Sequence, residues 1–216
     1  MIIQGQVRNP NTSVATDGVS YDALQGKQGE LIVSDLHGKY FTQSYRGNLF
    51  VMNVTATAIP VTTTTAPTFA LWNPQGNMKL ANIVKLSLGY VVTTSTAGNI
   101  LWSYQLGVGA NVGTAAPITA YAAGTATNLN IGSGVVTTMK PGIATITLTA
   151  AGTVLRATGF SQLVTTPATA YLPWVTWNDE PDGTLIVPPG CIIYLTASVA
   201  TASTYTCSMV WEEVPL

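Results

Sequence analysis

Val84-Lys85-Leu86-Ser87-Leu88-Gly89-Tyr90-Val91-Val92-Thr93 decides the fold class of this chain. Val84, Leu86, Leu88, Tyr90 and Val92 share one parity, and Lys85, Ser87, Gly89, Val91 and Thr93 the other. That two-residue period belongs to a strand with one buried face. It returns in Ile100, Trp102, Tyr104 and Leu106, and again where Ile143, Thr145, Thr147 and Thr149 alternate with Ala144, Ile146, Leu148 and Ala150. The last set places β-branched residues on one face and apolar ones on the other.

Working outward, further strands are predicted over residues 49–58, 68–72, 154–163, 184–187, 191–198 and 204–213. The separators are turn formers: Asn73-Pro74-Gln75-Gly76, Ala97-Gly98-Asn99, Lys140-Pro141-Gly142, Asp179-Glu180-Pro181-Asp182-Gly183 and Pro188-Pro189-Gly190. About eight to ten short strands at this spacing predict a sandwich or barrel. The Ala- and Thr-rich residues 114–127 read as neutral loops or edge strands, and residues 18–24 as one short helix.

Residues 86–139 form a run of fifty-four without one Asp, Glu, Lys or Arg. A membrane span needs roughly 20 consecutive apolar residues, and Asn99, Gln105, Asn111, Asn128 and Asn130 interrupt every apolar segment here. No membrane partner is therefore expected. Over all 216 residues only 8% are charged, against about 25% in ordinary soluble domains. Mean hydropathy is +0.33 and the net charge is -1, so little keeps copies apart and self-association is expected. The eight Lys and Arg residues form no basic stripe, which argues against nucleic acid.

The charges are unevenly spread. Arg8, Lys27, Lys39, Arg46, Asp17, Asp22, Glu30 and Asp35 fall within the first fifty residues, and the rest of the chain holds only nine more. With its breakers, this segment reads as an arm that lies along a neighbour. The division expected is an N-terminal arm or anchor over 1–48 and a β-sandwich over 49–216. The start, Met1-Ile2-Ile3-Gln4-Gly5-Gln6, lacks the basic and apolar regions of an export signal. Cys191 and Cys207 are too few for a disulfide scaffold and suit a reducing cytoplasm. They read as two buried thiols, with a disulfide across a last hairpin as the alternative.

Candidate chemistry is sparse, and no catalytic residue, cofactor or metal is assigned. His37 has Ser34 and Asp35 only as sequence neighbours. Gly26-Lys27-Gln28-Gly29-Glu30 lacks the spacing of a phosphate-binding loop. Asp179, Glu180 and Asp182 could bind Ca²⁺, but Pro181-Asp182-Gly183 is an ordinary turn, and a solvated hairpin tip is the plainer reading. A glycosidase carboxylate pair finds no aromatic-flanked partners. Of five tryptophans, Trp102 and Trp211 sit in alternating strands and should be buried. Trp174 and Trp177, with Asp179 and Asp182, are the candidate ligand contacts of a glycan-binding surface.

Gly183-Thr184-Leu185-Ile186-Val187-Pro188-Pro189-Gly190-Cys191-Ile192-Ile193-Tyr194-Leu195, followed by Cys207-Ser208-Met209-Val210-Trp211-Glu212-Glu213, resembles the closing strands of jelly-roll virion proteins. Residues 29–41 and 45–48 resemble segments of tailed-bacteriophage structural proteins. The resemblance covers about a third of the chain. It implies a tumour-necrosis-factor-like jelly roll, an all-β, antiparallel β-sandwich with an extended N-terminal arm. It also implies a virion location, assembly in the host cytoplasm, a homo-oligomer with the trimer favoured, and the major capsid protein or other virion proteins as partners. The expected role is a non-enzymatic capsid decoration or cement protein, docked through Lys27, Glu30, Asp35, Lys39, Tyr40 and Arg46. The alternative is a head or tail fibre that contacts host glycans. The long neutral middle exceeds a minimal jelly roll.

Overall fold

The computed structural model describes residues 38–92, 98–106, 120–161, 176–200 and 204–216. The chain separates into two compact units, residues 1–42 and 43–216. The predicted helix at 18–24 and His37 lie outside the described residues. A five-residue helix, α1 (Phe41–Tyr45), is followed by β1 (Leu49–Ala58), β2 (Ala70–Asn73), β3 (Lys79–Val92), β4 (Gly98–Leu106), β5 (Ala120–Ala123) and β6 (Ala126–Asn128). The remaining strands are β7 (Lys140–Thr147), β8 (Thr153–Ser161), β9 (Thr176–Asp179), β10 (Ile186–Val187), β11 (Cys191–Ala197) and β12 (Thr204–Pro215).

Two six-stranded antiparallel sheets result. Sheet I runs β10-β3-β12-β1-β6, with β9 also paired to β3, and sheet II runs β5-β7-β2-β11-β4-β8. Leave aside β5, β6 and β7, and count β9 with β10 as one position. The first strand then pairs with the eighth, the eighth with the third and the third with the sixth. In the other sheet the second pairs with the seventh, the seventh with the fourth and the fourth with the fifth. This is the strand order of a jelly roll. Of the three extra strands, β5 and β6 come from the neutral middle and β7 follows directly after it: β6 extends sheet I beyond β1, and β7 and β5 extend sheet II beyond β2.

The main core lies between the sheets. Phe50, Ile83, Leu86, Leu88, Met209 and Trp211 of sheet I meet Leu71, Ile100, Trp102, Ile193 and Leu195 of sheet II. Trp211 stacks on its cross-strand partner Phe50 at a centroid distance of 6.0 Å, an aromatic pair worth about 0.5–1.5 kcal/mol beyond its buried area. Trp102 and Trp211 are both fully buried, as their strand positions predict.

The parity that decided the fold class is interrupted twice: Tyr90 pairs with Tyr205 and Val92 with Thr204, which leaves Val91 as an extra residue near the end of β3. Lys85 pairs with Val210 and Ile83 with Trp211, so Val84 is the extra residue of a bulge. Ala81 and Ile83 before it, and Leu86 and Leu88 after it, therefore reach the same core. In β4 the inward set stops early: Ile100 and Trp102 are buried, whereas Leu106 is exposed where the sheets part into a cleft.

β11 is buried at every position. Its odd residues enter the main core, while Ile192 and Tyr194 pack with Ala70, Ile146 and Leu148 in a second cluster. A strand covered on both faces reads as a continuous apolar run, which explains Cys191-Ile192-Ile193-Tyr194-Leu195. The cover is the chain's own segment around residues 146–152. Leu148 N–H donates to Thr65 O at 2.6 Å, and Gly152 N–H donates to the Tyr194 hydroxyl at 2.7 Å. A Cβ on Gly152 would lie 2.2 Å from that hydroxyl oxygen and 2.4 Å from Tyr104 O, so only glycine permits the approach.

One expectation is corrected. Cys191 and Cys207 do not share a hairpin: β11 pairs with β2 and β4, and β12 with β1 and β3. The thiols sit in opposite sheets, buried and not joined in a disulfide. Burial pushes the Cys207 thiol up to about 12, which keeps it protonated and inert.

Leu86→Ala should cost about 2–5 kcal/mol, and Val91→Ala, at the exposed extra residue near the end of the strand, less than about 0.5 kcal/mol, both read by urea unfolding. Equal losses would contradict the facing of β3.

Candidate interaction surfaces and polar clusters

Asp179 closes β9 next to the main core. Antiparallel pairing sets it opposite Leu86 in sheet I, while its carboxylate reaches across to sheet II. Trp102 Nε1 donates to Oδ2 at 2.7 Å, Thr158 Oγ1 to Oδ2 at 2.7 Å, and Arg156 Nη2 to Oδ1 and Oδ2 at 2.8 and 2.9 Å. Both oxygens are therefore engaged in tying the sheets together. Two bulges in β8, at Leu155 and Thr158, flank Arg156. Thr158 and Arg156 together meet the carboxylate, while Leu155 is turned outward.

This corrects the reading of the 179–183 segment as one solvated tip. Asp179 belongs to a strand and to a part-buried network of hydrogen bonds. Glu180 is exposed and pairs with Lys85 at 3.1 Å, a surface contact worth little. Asp182 is exposed in the turn itself, at φ 47°. Among the described residues, no group of three His, Cys, Asp or Glu side chains is placed to hold a metal ion.

Trp177 is likewise not an open contact. It is half-buried and packed against the main core, opposite Leu88. Period-two counting would have shown why, because Trp177 and Asp179 share a parity and therefore a face. Trp174 lies outside the described residues, as do Lys27, Glu30 and Asp35. Lys39 and Arg46 are exposed and Tyr40 is half-buried. The Lys39 ammonium lies 5.2 Å from the Tyr40 ring centroid, within cation–π range.

Glu213 forms a second cluster, on the parity of Trp211. Its side chain is fully buried. Lys79 Nζ donates to Oε2 at 2.9 Å, Thr138 N–H to Oε1 at 3.0 Å and Thr138 Oγ1 to Oε2 at 3.0 Å, and the Thr137 hydroxyl also donates to Oε1. Burial opposes ionisation. The hydrogen bonds from Thr137, Lys79 and Thr138, with the Lys79 charge, outweigh it and hold the carboxyl below its ordinary value. An acid at an inward strand position was the signal available in the sequence, since such a group needs donors around it.

An apolar cleft of about 410 Å³ opens between β10 and the ends of β4 and β8, lined by Tyr104, Leu106, Leu155, Leu185, Ile186 and Cys191. Among the described residues, no charged side chain lines it. Compared with family models, curated proteins and solved structures, the chain has no match. The functional reading therefore rests on the strand order and on the use of the polar groups.

Glu213→Gln should lower stability at neutral pH by about 1–3 kcal/mol. The wild-type carboxyl is depressed in the folded state, so its contribution is present above the ordinary value of 4.5 and lost as pH falls through the depressed one. Acid unfolding profiles should show that limb in the wild type and its absence in the variant. Asp179→Asn should cost about 1–3 kcal/mol by the same measurement, and a neutral result would remove Asp179 as a tie between sheets.

Proposed function

We propose that the protein is a non-enzymatic structural component of a bacteriophage particle. In this reading it is a capsid decoration or cement protein, located in the virion and assembled in the host cytoplasm. It self-associates, with the trimer favoured, and docks on the major capsid protein or other virion proteins through its first forty-eight residues. The observation that carries the reading is the jelly-roll strand order in a chain of near-zero net charge. Supporting it, the part-buried carboxylate of Asp179 and the buried one of Glu213 are occupied in holding the fold. Copies with so little charge meet without long-range repulsion. The arm charges fix register on the particle more than they add affinity.

The fibre alternative relied on Trp174, Trp177, Asp179 and Asp182 as contacts. Trp177 and Asp179 face inward, which leaves that reading with less to work with.

Reversing three arm charges in the full-length chain, Lys27→Glu with Lys39→Glu and Arg46→Glu, should weaken binding to empty capsids by at least about tenfold. The β spectrum should be unchanged. Undiminished binding would overturn the assignment of docking to the arm.

A further inference from the structure

The connection from β6 to β7 leaves the edge of sheet I and arrives in sheet II. It is fastened along its length. Leu129 N–H donates to Leu49 O at 2.9 Å, Asn130 Nδ2 to Tyr45 O at 2.9 Å, and Ser133 N–H to Asn130 O at 3.0 Å. Thr137 and Thr138 are held by Glu213, and Asn77 Nδ2 donates to Thr138 Oγ1 at 3.1 Å.

A connection held this firmly nevertheless turns Ile131 and Val136 outward, 89% and 80% exposed. Val135 lies against Gly47, where an added Cβ would stand 3.1 Å from the valine side chain. Tyr45, Met78 and Leu216 are exposed at the same end of sheet I, where β1 and β3 begin and β12 finishes. Leu216 N–H donates to Met78 O at 3.0 Å, which joins that part to the rest.

We propose that copies of this chain meet through this end of the sandwich, the apolar surfaces around Ile131 and Val136 of each copy gathering about a shared symmetry axis. The proposal rests on the self-association read above and assigns it a place. Clustered exposed apolar side chains mark interaction sites, and a connection already ordered by its own hydrogen bonds loses little freedom on association.

Charge selects the occupant. The connection falls within the fifty-four residues that carry no charge, and Lys79, next to Met78, is neutralised by Glu213. The connection itself carries no charge of either sign, so gathering its copies about a symmetry axis sets no like charges face to face along it. A strongly charged partner would lose hydration there and gain no compensating group. Arg46, which follows Tyr45, is exposed and stays solvated at the rim. The area left open by Tyr45, Met78, Ile131, Val135, Val136 and Leu216 is of the order of the ~800 Å² that one partner gives to a standard interface.

The test compares the molar mass of the full-length chain at micromolar concentration with that of Ile131→Asp/Val136→Asp. Leu155→Asp, an exposed apolar position on β8, is the control. The wild type and the control should be oligomeric, and the double variant should dissociate at least about tenfold more readily with its β spectrum intact. Ile131→Cys adds a positive readout that does not depend on tolerating a charge: a short bis-maleimide should join copies at this position, Cys191 and Cys207 being buried. An oligomer unchanged in the double variant, or no cross-link in an oligomeric Ile131→Cys chain, overturns this placement and leaves self-association standing. A monomeric wild type overturns self-association and the placement together. A monomeric chain whose capsid binding falls in the double variant overturns the placement too, by giving the surface to the particle.

Discussion

The structure depends on β12 lying between β1 and β3. Its two ladders make sheet I continuous, and its alternate residues Tyr205, Cys207, Met209, Trp211 and Glu213 are all buried. Trp211 gives the core its stacked aromatic pair, and Glu213 on the same face ties down the connection that enters sheet II. Because β1 and β12 lie far apart in the chain, this pairing closes long loops before it gains contacts. Slow folding is the consequence expected of such non-local topology.

Charged groups are few, and their placement follows from that scarcity. A buried carboxylate without donors is costly. Asp179 and Glu213 each gather several donors from separate strands or connections. Each therefore acts where apolar packing alone would leave segments free to slide: Asp179 joins β9 to β4 and β8, and Glu213 joins β12 to β3 and to the neutral middle. Direction, which the non-directional hydrophobic effect cannot supply, comes from these two side chains.

Much of the fold was legible because strands with one buried face announce their period. The predicted strand at residues 49–58 coincides with β1, and those read over 154–163, 191–198 and 204–213 fall on β8, β11 and β12 within two residues at each end. Val84 marks where the method stops: a bulge leaves no trace in apolar content, so the parity was carried through a residue at which it changes. β9 was missed because Thr176-Trp177-Asn178-Asp179 is short and polar, and its partner is supplied by distant β3. The same blindness to partners made Trp177 and Asp179 resemble surface groups. For Ile192 and Tyr194, what was invisible was the covering segment, which turns part of an expected outer face into a second core.

Sheet edges in a chain this poor in charge lack the Lys residues that ordinarily deter stray pairing. Shortness serves instead at β5, β6, β9 and β10, none longer than four residues. β8 is nine residues long and is the outer strand of sheet II among the described residues. Its two bulges throw its outward backbone groups out of phase with any regular strand, so an incoming strand can match it over only a short span before its donors meet donors. The strand is guarded by mismatch rather than by repulsion. Salt, which screens charge, leaves such a guard untouched, whereas losing both extra residues, Leu155 and Thr158, would bring the edge back into phase and open it to fibrous growth.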